Sequence, residues 1–104
     1  MIRPLLAAAL ALGAVFTLPA RAQSGDPNLG RNLAAACANC HGTNGLSQQG
    51  MPNLAGQQRA YLAQQMQDFR AGKRPATIMH QLAKGYSDEQ IDALAAYFSA
   101  QKAR

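Results

Sequence analysis

The run Cys37-Ala38-Asn39-Cys40-His41 limits what this chain can fold into more than any other stretch. It reads C-x-x-C-H, the pattern by which a c-type haem is attached. Two thiols three residues apart on a tight turn can reach the two vinyl groups of one haem and form thioethers. A histidine directly after the second cysteine is then close enough to place an imidazole nitrogen on the iron. Two other readings compete. A thioredoxin-like redox dithiol wants a βαβ context, and no β-rich run is present. A structural zinc site wants four ligands, and beyond the two cysteines and His41 the chain offers only the distant His80.

Residues 1–22 read as a secretory signal peptide rather than as part of the fold. Arg3 supplies the positive start, Leu5 to Leu18 is apolar, and Ala20-Arg21-Ala22 is an A-x-A cleavage site. The apolar stretch is shorter than the about 20 residues a membrane-spanning helix needs. A retained N-terminal anchor is the competing reading. Cleavage would leave residues 23–104 as a single domain with no membrane span, in the periplasm of a Gram-negative cell. Haem attachment outside the cytoplasm would consume both thiols.

The charge balance changes with the signal. The full chain has 10 basic and 5 acidic residues, and losing Arg3 and Arg21 leaves eight against five. Two haem propionates would bring the net charge to about +1, so the basic composition gives no reason to expect nucleic acid as a partner.

The 82 residues from Gln23 onward contain no Trp and five aromatics, and much of their apolar content is alanine. Domains of this size usually need a staple. The apolar faces of a covalent haem would serve as one. The thin core and the C-x-x-C-H therefore point the same way.

Element by element, the pattern is all-α. Asn28 caps a first helix through Leu29, Leu33 and Ala36 into the haem motif. Gly30 within it costs about 1 kcal/mol against alanine, which suggests the close crossing of another helix; the plainer reading is a helix-start glycine. His41 to Gly56, with four glycines and Pro52, is a loop that would wrap the His41 side of the haem. Gln58 to Ala71 is an amphipathic helix with Tyr61, Leu62, Gln65, Met66 and Phe69 on one stripe, and Arg59, Gln64, Asp68 and Arg70 toward water. Gly72 stops it, and an irregular loop carries Thr77-Ile78-Met79-His80. Ser87-Asp88-Glu89-Gln90 is a capping box opening a last helix with Ile91, Leu94, Ala95 and Phe98 on its inner face.

An early haem motif, a glycine-rich loop, a methionine in a late loop and a closing helix together resemble a class I cytochrome c. The resemblance runs from Leu29 to about Gln101. Pro52-Asn53-Leu54-Ala55-Gly56-Gln57 and Lys84-Gly85-Tyr86-Ser87-Asp88-Glu89 are similar to small single-haem periplasmic cytochromes and to single domains of two-haem ones. Thr77-Ile78-Met79 through Ser87 most resembles the cytochrome subunit of flavocytochrome c sulfide dehydrogenase. The chain departs from the two-haem proteins in having one C-x-x-C-H and half the length. The resemblance implies three to five helices wrapped around one covalent haem c.

It also implies roles. Cys37 and Cys40 would form the thioethers, His41 would be the first axial ligand, and the carbonyl of Pro52 would accept a hydrogen bond from the other His41 nitrogen. For Pro52 the plainer reading is a rigid turn with no contact to His41. Met79, eight residues before Ser87, stands at the family's sixth-ligand position. Met51 adjoins Pro52 on the wrong side, Met66 falls on a helical apolar stripe as a core filler, and His80 is the competing donor. A His/Met site would have a raised potential. With both axial positions filled and no acid–base pair beside an open site, the chain is expected to be an electron carrier and no enzyme by itself. Its partners would be redox proteins, a flavoprotein donor and a terminal oxidase or another cytochrome as acceptor. The alternative is a tight subunit relaying electrons from a sulfide-oxidising flavoprotein. Arg70, Lys73, Arg74 and Lys84 would border the haem edge, to steer an acidic partner or merely as a solvated basic face.

Overall fold

Five α-helices and one 3-10 turn make up the regular structure among the described residues of the computed structural model, residues 13, 26–48 and 50–103. The export segment expected over 1–22 lies, Gly13 aside, outside those residues. In chain order the helices are α1 (Leu29–Ala34), α2 (Ala38–His41), α3 (Arg59–Arg70), α4 (Met79–Ala83) and α5 (Asp88–Ser99), with the 3-10 turn Thr43–Gly45 between α2 and α3. No strand occurs among the described residues, as the all-α reading requires.

The first helix differs from expectation at both ends. Asn28 does not cap it with its side chain. Asp26 instead forms a turn just before the helix, accepting the Asn28 backbone N–H on its carboxylate at 2.8 Å and the Leu29 N–H on its carbonyl at 3.1 Å. At the other end α1 stops at Ala34 instead of Ala36. Two i→i+3 bonds, Cys37 N–H to the Ala34 carbonyl at 3.0 Å and Cys40 N–H to the Cys37 carbonyl at 3.2 Å, tighten the backbone there. The haem motif therefore sits on its own short turn of helix.

The long helices α3 and α5 pack on each other, α1 packs on α5 and α4 on α3. α5 buries Ile91, Leu94, Ala95 and Phe98, the i, i+3, i+4, i+7 face read from the sequence. Its capping box is formed in both directions: Ser87 Oγ accepts from Gln90 N–H at 3.2 Å, and Gln90 Oε1 accepts from Ser87 N–H at 2.9 Å. On α3 only Leu62 is fully buried, with Met66 and Ala63 packed against the core. Tyr61, expected on the same stripe, is 50% exposed, because one residue along a helix is a rotation of about 100°. Leu62 takes the inward direction.

Gly30 marks the α1–α5 crossing. A Cβ at this position would lie 2.6 Å from the Ala93 carbonyl oxygen and 3.0 Å from Tyr97 Cβ. The backbones approach more closely than any side chain allows, which is the packing reason the sequence suggested.

Candidate haem-attachment site

The motif is built on α2 and the turn before it. Cys37 is half-buried against the cluster of Ala34, Leu62, Leu94, Ala95 and Phe98, whereas Cys40 is exposed. Burial pushes the Cys37 thiol up; its own backbone hydrogen bond opposes this and the neighbouring Cys40 adds to it. No disulfide joins the two cysteines. His41 is 9% exposed, and its Nδ1 lies 2.8 Å from the Pro52 carbonyl oxygen. A carbonyl only accepts, so Nδ1 carries the proton and Nε2 keeps its lone pair. The ring is thereby oriented as a ligand with one nitrogen free.

The contact between His41 and Pro52 spans eleven positions of chain, and the glycine-rich loop makes it possible. The Gly45 carbonyl accepts from both Leu54 N–H at 2.9 Å and Ala55 N–H at 3.2 Å, drawing the far end of the loop back to α2. Gly45 has φ +77°, and a Cβ there would lie 2.8 Å from Phe98 and 2.9 Å from Leu54. Conformation and space both require glycine. The C-terminal half of α5 holds the loop at two further points. Tyr97 donates its hydroxyl to Asn44 Oδ1 at 2.6 Å, and Gly56 N–H donates to the Phe98 carbonyl at 2.9 Å. Asn44 has φ 56°, a left-handed conformation asparagine tolerates. Sequence reasoning missed Asn44 and Tyr97. An asparagine inside a glycine-rich loop and a tyrosine at the edge of an apolar face were the available signals.

Met79 does not lie in an irregular loop. It is the first residue of α4, which Gln81 and Leu82 N–H close onto the Ile78 carbonyl at 2.9 and 3.1 Å and the fully buried Ala83 fastens. Met66 packs against the core and Met51 is 41% exposed next to Pro52. His80 has its Nδ1 buried without a hydrogen-bond partner. Tyr86, between α4 and α5, packs against the same cluster as Cys37. Arg70 does not face water freely: it pairs with Asp88 and donates to the Tyr86 carbonyl at 3.2 Å. Lys73, Arg74 and Lys84 remain exposed, with the Arg74 guanidinium 4.9 Å from the centre of the Phe69 ring.

These residues fit a covalent haem. Two unpaired thiols flank a turn, and one imidazole nitrogen is held by a carbonyl while the other is free. Among the described residues four large apolar side chains, Met51, Tyr61, Ile78 and Leu82, stay between 41% and 53% exposed. No three of His, Cys, Asp or Glu gather among the described residues, so the zinc reading lacks a ligand set.

A set of helices packed around a C-x-x-C-H whose histidine is fastened by a loop carbonyl is the class I fold of c-type cytochromes. The chain belongs to the cytochrome c family, whose model matches residues 28–102. Members of this family bind covalent haem c, and Cys37 and Cys40 are positioned as its C-x-x-C-H attachment motif. Cytochrome c4 of Pseudomonas aeruginosa is 42% identical over 80 residues, covering 76% of this chain and 40% of that protein. Cytochrome c-554(548) of Halomonas halodenitrificans is 40% identical over 86 residues, covering 76% of this chain and 100% of its own length. The cytochrome subunit of sulfide dehydrogenase from Chlorobaculum tepidum is 41% identical over 69 residues, 66% of this chain and 63% of that one. The chain thus spans less than two thirds of the c4 and sulfide dehydrogenase relatives. The structure of cytochrome c4 from Acidithiobacillus ferrooxidans matches with a TM-score of 0.64 at 33% identity, over 71% of this chain and 50% of that one. Among the described residues no helix is long and apolar enough to cross a membrane.

Proposed function

We propose that this chain is a periplasmic electron shuttle, exported by residues 1–22, which are then cleaved, and folded as one domain over 23–104. Cys37 and Cys40 carry the thioethers, and His41 and Met79 are the axial ligands. The observation that carries this reading is the hydrogen bond from His41 Nδ1 to the Pro52 carbonyl at 2.8 Å. It fixes the tautomer and raises the basicity of Nε2, the second-shell arrangement that metal-bound histidines use. Haem, when bound, supplies the one-electron Fe(III)/Fe(II) couple. The part of the chain's own residues is to orient, enclose and ligate.

Three features support Met79 over its rivals. Met66 is engaged in the core, Met51 adjoins the proline that serves His41, and His80 has one ring nitrogen enclosed by protein. A neutral thioether favours ferrous iron and raises the potential, which suits a carrier between a flavoprotein donor and an oxidase or another cytochrome. Ferric holoprotein is expected to show the weak near-infrared sulfur–iron band. Met79→Ala removes that band and His80→Ala keeps it; the opposite pattern overturns the assignment.

The relationship to a sulfide dehydrogenase cytochrome subunit favours a second reading, in which the chain binds a flavoprotein tightly and carries its electrons away. Mixing the purified cytochrome with a candidate flavoprotein at low sulfide separates the two. Accelerated haem reduction together with co-elution on a sizing column supports the subunit. Reduction no faster than with sulfide alone, and no co-elution, leaves the diffusing shuttle.

A further inference from the structure

The end of α3 and the start of α5, which bound the segment carrying α4, are tied together. Arg70, the last residue of α3, and Asp88, the first of α5, form an ion pair between positions eighteen apart in sequence. Arg70 Nη1 also donates to the Tyr86 carbonyl at 3.2 Å, Arg70 Nη2 donates to Gln67 Oε1, and Gln67 Nε2 donates to Asp88 Oδ1 at 3.2 Å. Between the tied ends runs segment 71–87, which contains Met79. Only Ala83 in it is fully buried, and Ala76, Met79, His80 and Tyr86 are partly buried; the remainder is exposed. A segment with most of its residues exposed, seated by α4 on α3 and by Ala83, opens more easily when its ends are free.

We propose that Arg70 and Asp88 are positioning residues, a clasp that closes the neck of segment 71–87 and keeps Met79 seated as the sixth ligand. This rests on the assignment of Met79 to the iron. A thioether is a weak partner for ferric iron, and an external ligand gains access only while Met79 is away. Its apparent affinity is therefore its intrinsic affinity scaled by the fraction of molecules with the segment open. The clasp lowers that fraction. The ion pair is partly exposed, with 30% of the Arg70 side chain and 75% of the Asp88 side chain accessible, so its effect is moderate. The added bond to the Tyr86 carbonyl makes Arg70 the more important half, because it fastens backbone of the segment itself.

The test is imidazole binding to ferric holoprotein, followed by loss of the sulfur–iron band. Asp88→Asn is expected to bind imidazole about threefold more tightly than the wild type and Arg70→Ala about fivefold, with the band intact before imidazole is added. The double variant should resemble Arg70→Ala alone, since both changes break one contact. Glu89→Gln removes a charge from the same first turn of α5 without touching Arg70 and should bind imidazole as the wild type does. Wild-type binding in both single variants overturns the clasp. So does an effect of Glu89→Gln equal to that of Asp88→Asn, which would make it a helix-end charge effect. Asp88→Asn, an isosteric surface change, keeps the test available if Arg70→Ala fails to yield holoprotein. Met79→Ala separates the two levels: a band that survives it refutes the ligand assignment, whereas a band lost in it with unaltered clasp variants refutes the clasp alone.

Discussion

His41 needs only one of its nitrogens held for the other to be useful, and the Pro52 carbonyl holds Nδ1. Pro52 contributes no side-chain chemistry to this; its ring fixes φ and stiffens the backbone that carries the carbonyl. Asp88 is held by two neighbours, Arg70 and Gln67. The Arg70 hydrogen bond, then the Gln67 bond and the Arg70 charge, hold its carboxyl below the usual carboxylate range. The folded-state value lies below the unfolded one of about 3.9. The linked stability is therefore present above that unfolded value and lost as pH falls through the lowered folded value. The difference in Tm between wild type and Asp88→Asn should be greatest near neutrality and shrink as pH falls below about 4. A difference independent of pH would mean that the Arg70–Asp88 contact does not operate through charge.

Two elements, α1 and α5, are joined by a contact that a single carbon would disturb. Helix propensity alone would make Gly30→Ala stabilising by about 1 kcal/mol. The new Cβ, however, would lie 2.6 Å from the Ala93 carbonyl oxygen, a backbone atom that cannot rotate away. Overpacking against a fixed neighbour costs about 1–3 kcal/mol, so the contact outweighs the propensity. Gly30→Ala is expected to lower the denaturant midpoint of the holoprotein with an unchanged m-value. A higher midpoint would mean that the helices separate freely. The same close crossing places Tyr97 and Phe98 over the loop, where they hold Asn44 and Gly56. A loosened α1–α5 contact would therefore also be felt at the haem motif.

On the scale of the whole molecule, the buried apolar residues among those described are nine, and four of them are alanine. Leu29, Leu62, Ile91, Leu94 and Phe98 are too few large side chains to hold a domain of this size by burial alone. Haem joined at Cys37 and Cys40, as proposed, would complete the core. Cys37→Ala combined with Cys40→Ala should leave little folded protein, measured as lost helical circular dichroism and a missing cooperative thermal transition. A cooperative transition in the haem-free variant would show that the side chains suffice.

The haem motif, the all-α class, the inner face of α5, its capping box and the close crossing at Gly30 were legible in the sequence. All but the last depend on residues near one another along the chain, where spacing and local hydrogen bonding decide the outcome; Gly30 signalled a close crossing but not its partner, Ala93. Some breaks between expectation and structure are local: Asn28 makes no side-chain cap, and Leu62 takes the inward direction from Tyr61. Others join distant segments, as where Arg70 is drawn from solvent to Asp88 and Tyr86. The tie from Tyr97 to Asn44 links positions 53 apart, and no local pattern reports such a pair. Chemistry confined to a few neighbouring residues was written in the sequence. Which groups from remote segments would meet, and so which charges and hydroxyls would be engaged, was decided only when the helices packed.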